Sequence, residues 1–439
     1  MSTNNLEFEE YVAIPAGIRR MNRSRCGRAG AALMALLAAT PAARAVDEKP
    51  PDAPAEKKEV TVSAGPDGFL IQSGSDYRLR IGGYAQVDGR FYAHDRDGAA
   101  ANTFLLRSAR LIFQGTVARY FDFYLDPDFG QGQVTLYDAY LNVKTSDKLQ
   151  LRVGKFKPPV GLERLQSAAS LPFAERALPT GLVPNRDVGA QLHGELGGGV
   201  ATYAVGVFDG AVDGALIDID SNDGKDVAGR VFFQPFARGS SAFKGLGLGI
   251  AGTRGKQLGA LPSFRTGGQI VFFSYLTTAT ADGTRTRVAP QGSLHAGPVG
   301  LLGEWTRSRQ QVRKGTDTAP IANEAWEVSG SVLLTGEAAT AAGVRPRRPF
   351  DPSKRTWGAL ELAGRVNGFD VDPAAFSRGF ADPARSARKA RAWAVGCNWY
   401  LNRNMKYVLD YERTTFTGGA TGGDRRPENA ILFRTQVAF

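Results

Sequence analysis

"LQLRVGKFKPPVGLERL", residues 149–165, begins as a strand and then departs from its own pattern. Leu149, Leu151 and Val153 alternate with Gln150, Arg152 and Gly154, the two-residue period of a strand with one apolar face. Continued, that period puts Lys155 and Lys157 where apolar residues belong. Pro158 and Pro159 follow, and neither can donate to a sheet ladder. The stretch therefore predicts a strand that stops abruptly and releases a chain segment carrying two cations.

The same alternation recurs along the chain. In "YRLRIGGYAQVDGRFY" (77–92) Leu79, Ile81, Ala85, Val87 and Phe91 share one face, opposite Arg78, Arg80, Tyr84, Gln86, Asp88 and Arg90. "VTLYDAYLNVK" sets Tyr137, Ala139, Leu141 and Val143 against Asp138, Asn142 and Lys144. "WEVSGSVLL", "ALELAGRVNG" and "RAWAVGCNWYLN" repeat it. Sixteen or seventeen such stretches lie between Tyr77 and Phe439, with blurred boundaries over 269–295. Connections alternate between short ones (117–120, 145–148, 197–199, 295–298, 401–404) and long ones (93–103, 158–187, 210–225, 370–389, 417–429). Short turns at one end and long loops at the other are the layout of an outer-membrane β-barrel. A two-sheet sandwich also alternates. Its exterior would not require this density of Arg, Glu and Asp, or Tyr, Trp and Phe at strand ends, which suit an interfacial girdle.

Of 439 residues 43% are hydrophobic and 22% charged, with 3 histidines and a net charge of +11. Arg19, Arg20, Arg23, Arg25 and Arg28 precede the short apolar run "AGAALMALLAAT", and "AARA" ends at Ala45. This reads as a secretory signal over 1–45, with Met21 a second possible start. Its removal would lower the net charge to about +8 and leave Cys397 as the one cysteine. Residues 46–64, rich in Pro and charge, read as a disordered linker, and 65–439 as the barrel. An exported chain argues against nucleic acid as the partner of the positive charge. Small anions or anionic lipid headgroups fit it better. His94, His193 and His295 have no metal or catalytic spacing. No serine sits in a Gly-x-Ser-x-Gly turn. The chain before the first strand is too short for the folded plug of a siderophore-type transporter.

Together these stretches resemble the phosphate- and polyphosphate-selective porins of the Gram-negative outer membrane. The likeness covers 65–439 and rests on "RLRIGGYAQVDGRF", "FLLRSARLIFQGTV", "LYDAYLN", "RVGKFKPPVGLE", "PFAERALP", "FKGLGLGIAG" with "FFSY", and "GPVGLLGEW". It implies an all-β transmembrane barrel of 16 antiparallel strands and an inward-folded third loop. It also implies a homotrimer in the outer membrane that passes phosphate, polyphosphate or other small anions by diffusion, without a cofactor. In "FLLRSARL" Ser108 stands where the resemblance leads one to expect an arginine, so one pore-facing arginine is absent. Alternation places Arg107 on the apolar side.

Anion selectivity needs positive charge and donors that replace part of the ion's hydration shell in a narrow passage. By alternation the barrel wall presents inward cations, among them Arg78, Arg80, Arg110, Arg152, Arg365 and Arg434. An equal number of inward carboxylates, such as Asp88, Asp126, Asp138 and Glu304, balances them. The third loop shifts the balance. Lys155, Lys157, Arg164, Arg176 and Arg186 outnumber Glu163, Glu175 and Asp187. The anion-binding candidates are therefore Lys155, Lys157 and Arg110, then Arg152, Arg176, Arg164, Arg78 and Arg80. Asp138, Glu163 and Glu175 are candidate partners of the loop. Clamping of the loop arginines to the wall through Asp138 or Glu195 is the competing role. A porin for sugars or organic acids is the competing function, with Asp126 and Asp128 of "YLDPDF" shaping a less anionic preference.

Overall fold

A computed structural model describes residues 59–93, 100–219, 222–239 and 242–439. The signal read at 1–45 lies outside them. Sixteen antiparallel strands form the barrel. They are β1 (Tyr77–Tyr92), β2 (Thr103–Val117), β3 (Phe121–Asp128), β4 (Thr135–Ser146), β5 (Leu149–Phe156), β6 (Asp187–Leu196), β7 (Ala201–Phe208) and β8 (Asp226–Phe233). The series continues with β9 (Gly247–Gly259), β10 (Thr280–Ala296), β11 (Val299–Lys314), β12 (Asp317–Leu333), β13 (Ala359–Asp370), β14 (Ala387–Tyr400), β15 (Met405–Ala420) and β16 (Glu428–Ala438). Each pairs with its neighbours in sequence, and β16 pairs with β1 from Ala430↔Tyr92 to Ala438↔Tyr84, which closes the sheet. Closure leaves no barrel edge, so backbone groups within the membrane are satisfied internally.

The linker expected over 46–64 is corrected at its end. Val60–Gly65 and Gly68–Ser73 form a hairpin whose second strand pairs with β1 from Phe69↔Ile81 to Ser73↔Tyr77. The short alternation of Val60, Val62 and Ala64 is hidden in sequence beside the Pro- and Lys-rich run before it. Below the last β16 pair, Phe439 exchanges backbone hydrogen bonds with Gly83 (2.7 and 2.9 Å).

The strand count resolves where the alternation blurred. Ser263–Arg265 and Val271–Ser274 pair only with each other, outside the barrel sheet, while β10 is one strand of 17 residues. Phe264, Phe272 and Phe273 of this small hairpin are buried against Phe369, Phe380 and Leu178 and Leu182 of the third loop. Burial of such side chains stabilises by about 1.5–3 kcal/mol each. The hairpin and the loop are thereby one packed body.

The outer face carries exposed Leu141, Val153, Val205, Ile250, Val395 and Leu409. The same strands bury Asn142, Arg152, Asn398 and Asp410 inside. Among several register shifts, two β-bulges change the reading of the lumen wall. Gln86 pairs with Ser108 and Val87 with Leu106, leaving Arg107 as the extra residue. Asp126 pairs with Asp138 and Pro127 with Leu136, leaving Tyr137 as another. A bulge re-aims the extra side chain. Both residues, read as outward from alternation, face the interior cavity.

The opening stretch behaves as a strand through Phe156. Gly154 adopts φ +135°, a region L side chains rarely enter, and a Cβ there would lie 2.3 Å from the Ala139 carbonyl oxygen. Replacing Gly154 by alanine is expected to cost about 1–3 kcal/mol of backbone strain. The readout is a lower temperature for loss of heat-resistant mobility on a denaturing gel; an unchanged transition would exclude strain at this position.

Candidate functional site

After Phe156 the two prolines end the pairing, and the chain turns at Gly161 (φ +83°) into a short helix, Leu162–Leu165. From there residues 157–186 reach lumen-facing groups of β13–β16. The Ala174 N–H donates to Asp410 Oδ2 (2.7 Å), and Arg365 Nη1 to the Glu175 carbonyl (2.9 Å). Lys406 Nζ donates to the Leu171 carbonyl (2.9 Å), Asn398 to Pro172 (2.8 Å) and Gln436 to Ala169 (3.0 Å).

Glu175 is gripped at the seam where the barrel closes. Arg107 Nε lies 2.8 Å from it, Arg90 Nη2 2.9 Å and Arg434 Nη2 3.8 Å. Burial pushes its carboxyl up, but the charge and hydrogen bond of Arg107, then Arg434 and Arg90, outweigh burial and hold it at about 2. A depressed carboxyl contributes stability that is complete above its ordinary value and lost as pH falls through the depressed one. The anchor is thus expected to hold down to mildly acidic pH and to fail between about 4 and 2. A channel whose conductance stays constant to pH 4 and then rises fits this. In Glu175→Gln the acid-dependent step should vanish, and persistence of the step would place its origin elsewhere.

Between this loop, the hairpin at 263–274 and the walls of β1, β2, β4 and β16 lies a cavity of about 570 Å³. Seven arginines line it (Arg107, Arg110, Arg164, Arg176, Arg186, Arg265 and Arg434) against two carboxylates, Glu175 and Asp213. Arg110 is held by Asp126 (2.8 Å) and Asp128 (3.0 Å), and its guanidinium stacks on Tyr137 at 3.9 Å. Arg186 is clamped to Asp138 (2.9 Å). Arg176 donates to the carbonyls of Glu163 and Gln166. Arg164 differs. It donates to Asn185 Oδ1 (3.1 Å) and the Thr180 carbonyl (2.6 Å), and among the described residues its buried Nε has no hydrogen-bond partner. Burial, then the charges of Arg176 and Arg186, push Arg164 down to about 9, so it is cationic at neutral pH.

The other candidates lie off this cavity. Lys155 is still on the wall, paired with Ala139 and Val188, and its Nζ bonds the Leu136 carbonyl (2.6 Å) and Asp218 (2.5 Å). Lys157 leaves with the loop, but its Nζ turns to the carbonyls of Leu165 (3.5 Å) and Gln166 (3.0 Å), bracing the helix end. Arg152 is buried and stacks over Tyr140 at 4.4 Å. Arg78 and Arg80 sit toward the turn end of β1, with Arg80 buried. Glu163 accepts from the Ala177 N–H (2.8 Å) and lies 3.7 Å from Arg365. Alternation missed Arg107, the blurred segment concealed Arg285 and Arg287, and Arg265 lies just before it on the small hairpin. Among the described residues no group of three His, Cys, Asp or Glu side chains is placed to hold a metal.

A closed 16-strand barrel with an apolar exterior, a charged interior and an arginine-rich cavity is an outer-membrane porin with a preference for anions. Residues 79–439 match the family of phosphate-selective porins O and P, and the chain belongs to it. The family and the fold are those of channels. Among curated proteins no sequence match is found. Several solved structures share the fold. The outer membrane channel DcaP of Acinetobacter baumannii is 10% identical with a TM-score of 0.55, the match covering 84% of this chain and 99% of that one. In vitro-folded OmpT of Vibrio cholerae is 12% identical (TM-score 0.54; 84% and 99% covered). An anion-selective porin of Comamonas acidovorans is also 12% identical (TM-score 0.53; 83% and 100% covered).

Proposed function

We propose that residues 157–186 form the constriction of a passive pore for phosphate or polyphosphate, and that the arginine-lined cavity is where the ion exchanges water for guanidinium donors. The observation that carries this is the excess of seven arginines over two carboxylates around one cavity, with Arg164 hydrogen-bonded, among the described residues, to neutral oxygens. Arginine suits the task because its planar fork holds two oxyanion oxygens at once. Proximity and low-dielectric walls magnify each charge there. Asp126 and Asp128, which a cation or sugar pore would use, are occupied by Arg110. Export through a cleaved signal at 1–45 and assembly as a homotrimer complete the reading. OmpT of Vibrio cholerae, similar in fold, has a trimer form (TM-score 0.52).

Recording in lipid bilayers tests it. With unequal potassium chloride on the two sides the zero-current potential should have the sign of anion preference, and micromolar phosphate should block chloride current. A cation-selective potential would sink the reading. Anion preference without block would leave a general anion porin.

A further inference from the structure

The turn end carries a second basic feature, away from the lumen. Residues 334–358 join β12 to β13, and their last part folds over the rim. The Phe350 N–H donates to the Leu401 carbonyl (2.6 Å), and Asp351 and Thr356 bridge to close a tight turn. Phe350 packs edge-on to Trp399, an outward residue of β14, with centroids 5.6 Å apart, and lies 6.0 Å from Trp357. Trp399 Nε1 donates to the Trp357 carbonyl (2.6 Å). Tyr407 and Phe433 extend the aromatic row along the outer wall. Trp357 nevertheless remains 67% exposed.

At the tip of this turn stand Lys354 and Arg355, with Arg348 just before its base. Arg348 and Arg355 are exposed, and among the described residues neither has an ion-pair partner. Lys354 reaches only Asp351 (3.1 Å), the carboxylate that caps Ser353. The connection packs on the short turn 401–404, and the short turns of such barrels face the periplasm, so this cluster lies at the phospholipid leaflet. Trp and Tyr settle at the headgroup level, and each Lys or Arg near an anionic surface adds attraction.

We propose that this turn is a binding site for an anionic phospholipid headgroup. Phe350, Trp357 and Trp399 lie against the glycerol and upper acyl region, and Arg348, Lys354 and Arg355 hold the phosphate. The choice of a lipid over free phosphate rests on the exposed indole beside the cations, which a free ion does not need. The site is independent of the pore's ion preference.

The full chain, refolded into phosphatidylcholine vesicles containing brominated phosphatidylglycerol or brominated phosphatidylcholine, gives a direct reading. Subtracting Trp357→Phe isolates the Trp357 signal. The brominated anionic lipid should quench it more strongly than the zwitterionic one at equal content. Arg348→Gln, Lys354→Gln and Arg355→Gln should each weaken that preference about fivefold. Heat-dependent gel mobility establishes that the variants are folded. Equal quenching by both lipids, or a preference that survives the triple substitution, overturns the site. Loss of the preference on adding inorganic phosphate at constant ionic strength assigns the turn to the free ion and overturns the lipid.

Discussion

Replacing Arg164 by glutamine is expected to weaken phosphate block of the chloride current by one to two orders of magnitude, while chloride conductance changes little. A hydrogen bond to a charged group contributes about 1.5–3 kcal/mol, which sets that range. Arg164 is the clearest candidate because the other cations nearby are engaged by carboxylates or brace the loop, except Arg265, which is exposed and donates to the Gln269 carbonyl of its own hairpin. Arg107 is on Glu175, Arg110 on Asp126 and Asp128, Arg434 on Asp88 (2.7 Å), and Arg186 on Asp138. Arg164 is crowded by Arg176 and Arg186, which the charges of Glu163 and Glu304 only partly offset, and among the described residues its hydrogen bonds go to the neutral oxygens of Asn185 and Thr180. An oxyanion relieves that crowding. Arg164→Lys separates charge from geometry: it keeps the cation and loses the fork, so part of the block should return. Titration of single-channel current with phosphate distinguishes these outcomes. If Arg164→Gln blocks like the parent channel, the ion contacts other arginines and Arg164 is a brace.

Much of this was legible in the sequence because a barrel writes its two faces into every strand. Sixteen or seventeen strands and the inward wall follow from period two, the stop after Phe156 from two prolines that cannot donate to a ladder, and the count of sixteen from the family resemblance. What alternation does not encode is an extra residue. Arg107 and Tyr137 each sit in a bulge, and one inserted residue reverses the face of the side chain that carries it. Ser108 read as a missing pore arginine, yet Arg107 turns in beside it and faces the same cavity. Nor does alternation say what a long side chain reaches. Lys155 and Lys157 stand where the strand gives way to the loop, but their ammonium groups find carbonyls and Asp218. Arg176 likewise satisfies backbone oxygens. A cation's role was thus decided by the nearest oxygen acceptor, and that acceptor usually lies on a distant strand or loop. Arg285 and Arg287 went unseen for another reason. Phe272 and Phe273, which belong to the inner hairpin, blurred the start of β10.

Arg287→Met should destabilise the barrel by about 3–5 kcal/mol, the cost of leaving a buried charge without its partner. Its side chain is fully buried. Nε lies 2.7 Å from Asp213 and Nη1 2.9 Å from Asp226, while Nη1 and Nη2 also donate to Thr253 Oγ1 (3.1 Å) and the Ala211 carbonyl (2.8 Å). Asp213 and Ala211 belong to the connection between β7 and β8, so this one guanidinium ties that loop to β8, β9 and β10. Arg285, 2.8 Å from Asp226 and 3.9 Å from Asp213, remains in the variant but cannot serve both carboxylates in the same geometry. The expected result is a gel-shift transition at markedly lower temperature, accompanied by noisier current as the loop loosens. Removing Asp213 as well, in Arg287→Met/Asp213→Leu, should recover much of the loss, because no carboxylate is then stranded. If the double variant is no better than the single one, the arginine acts through packing and not through its charge.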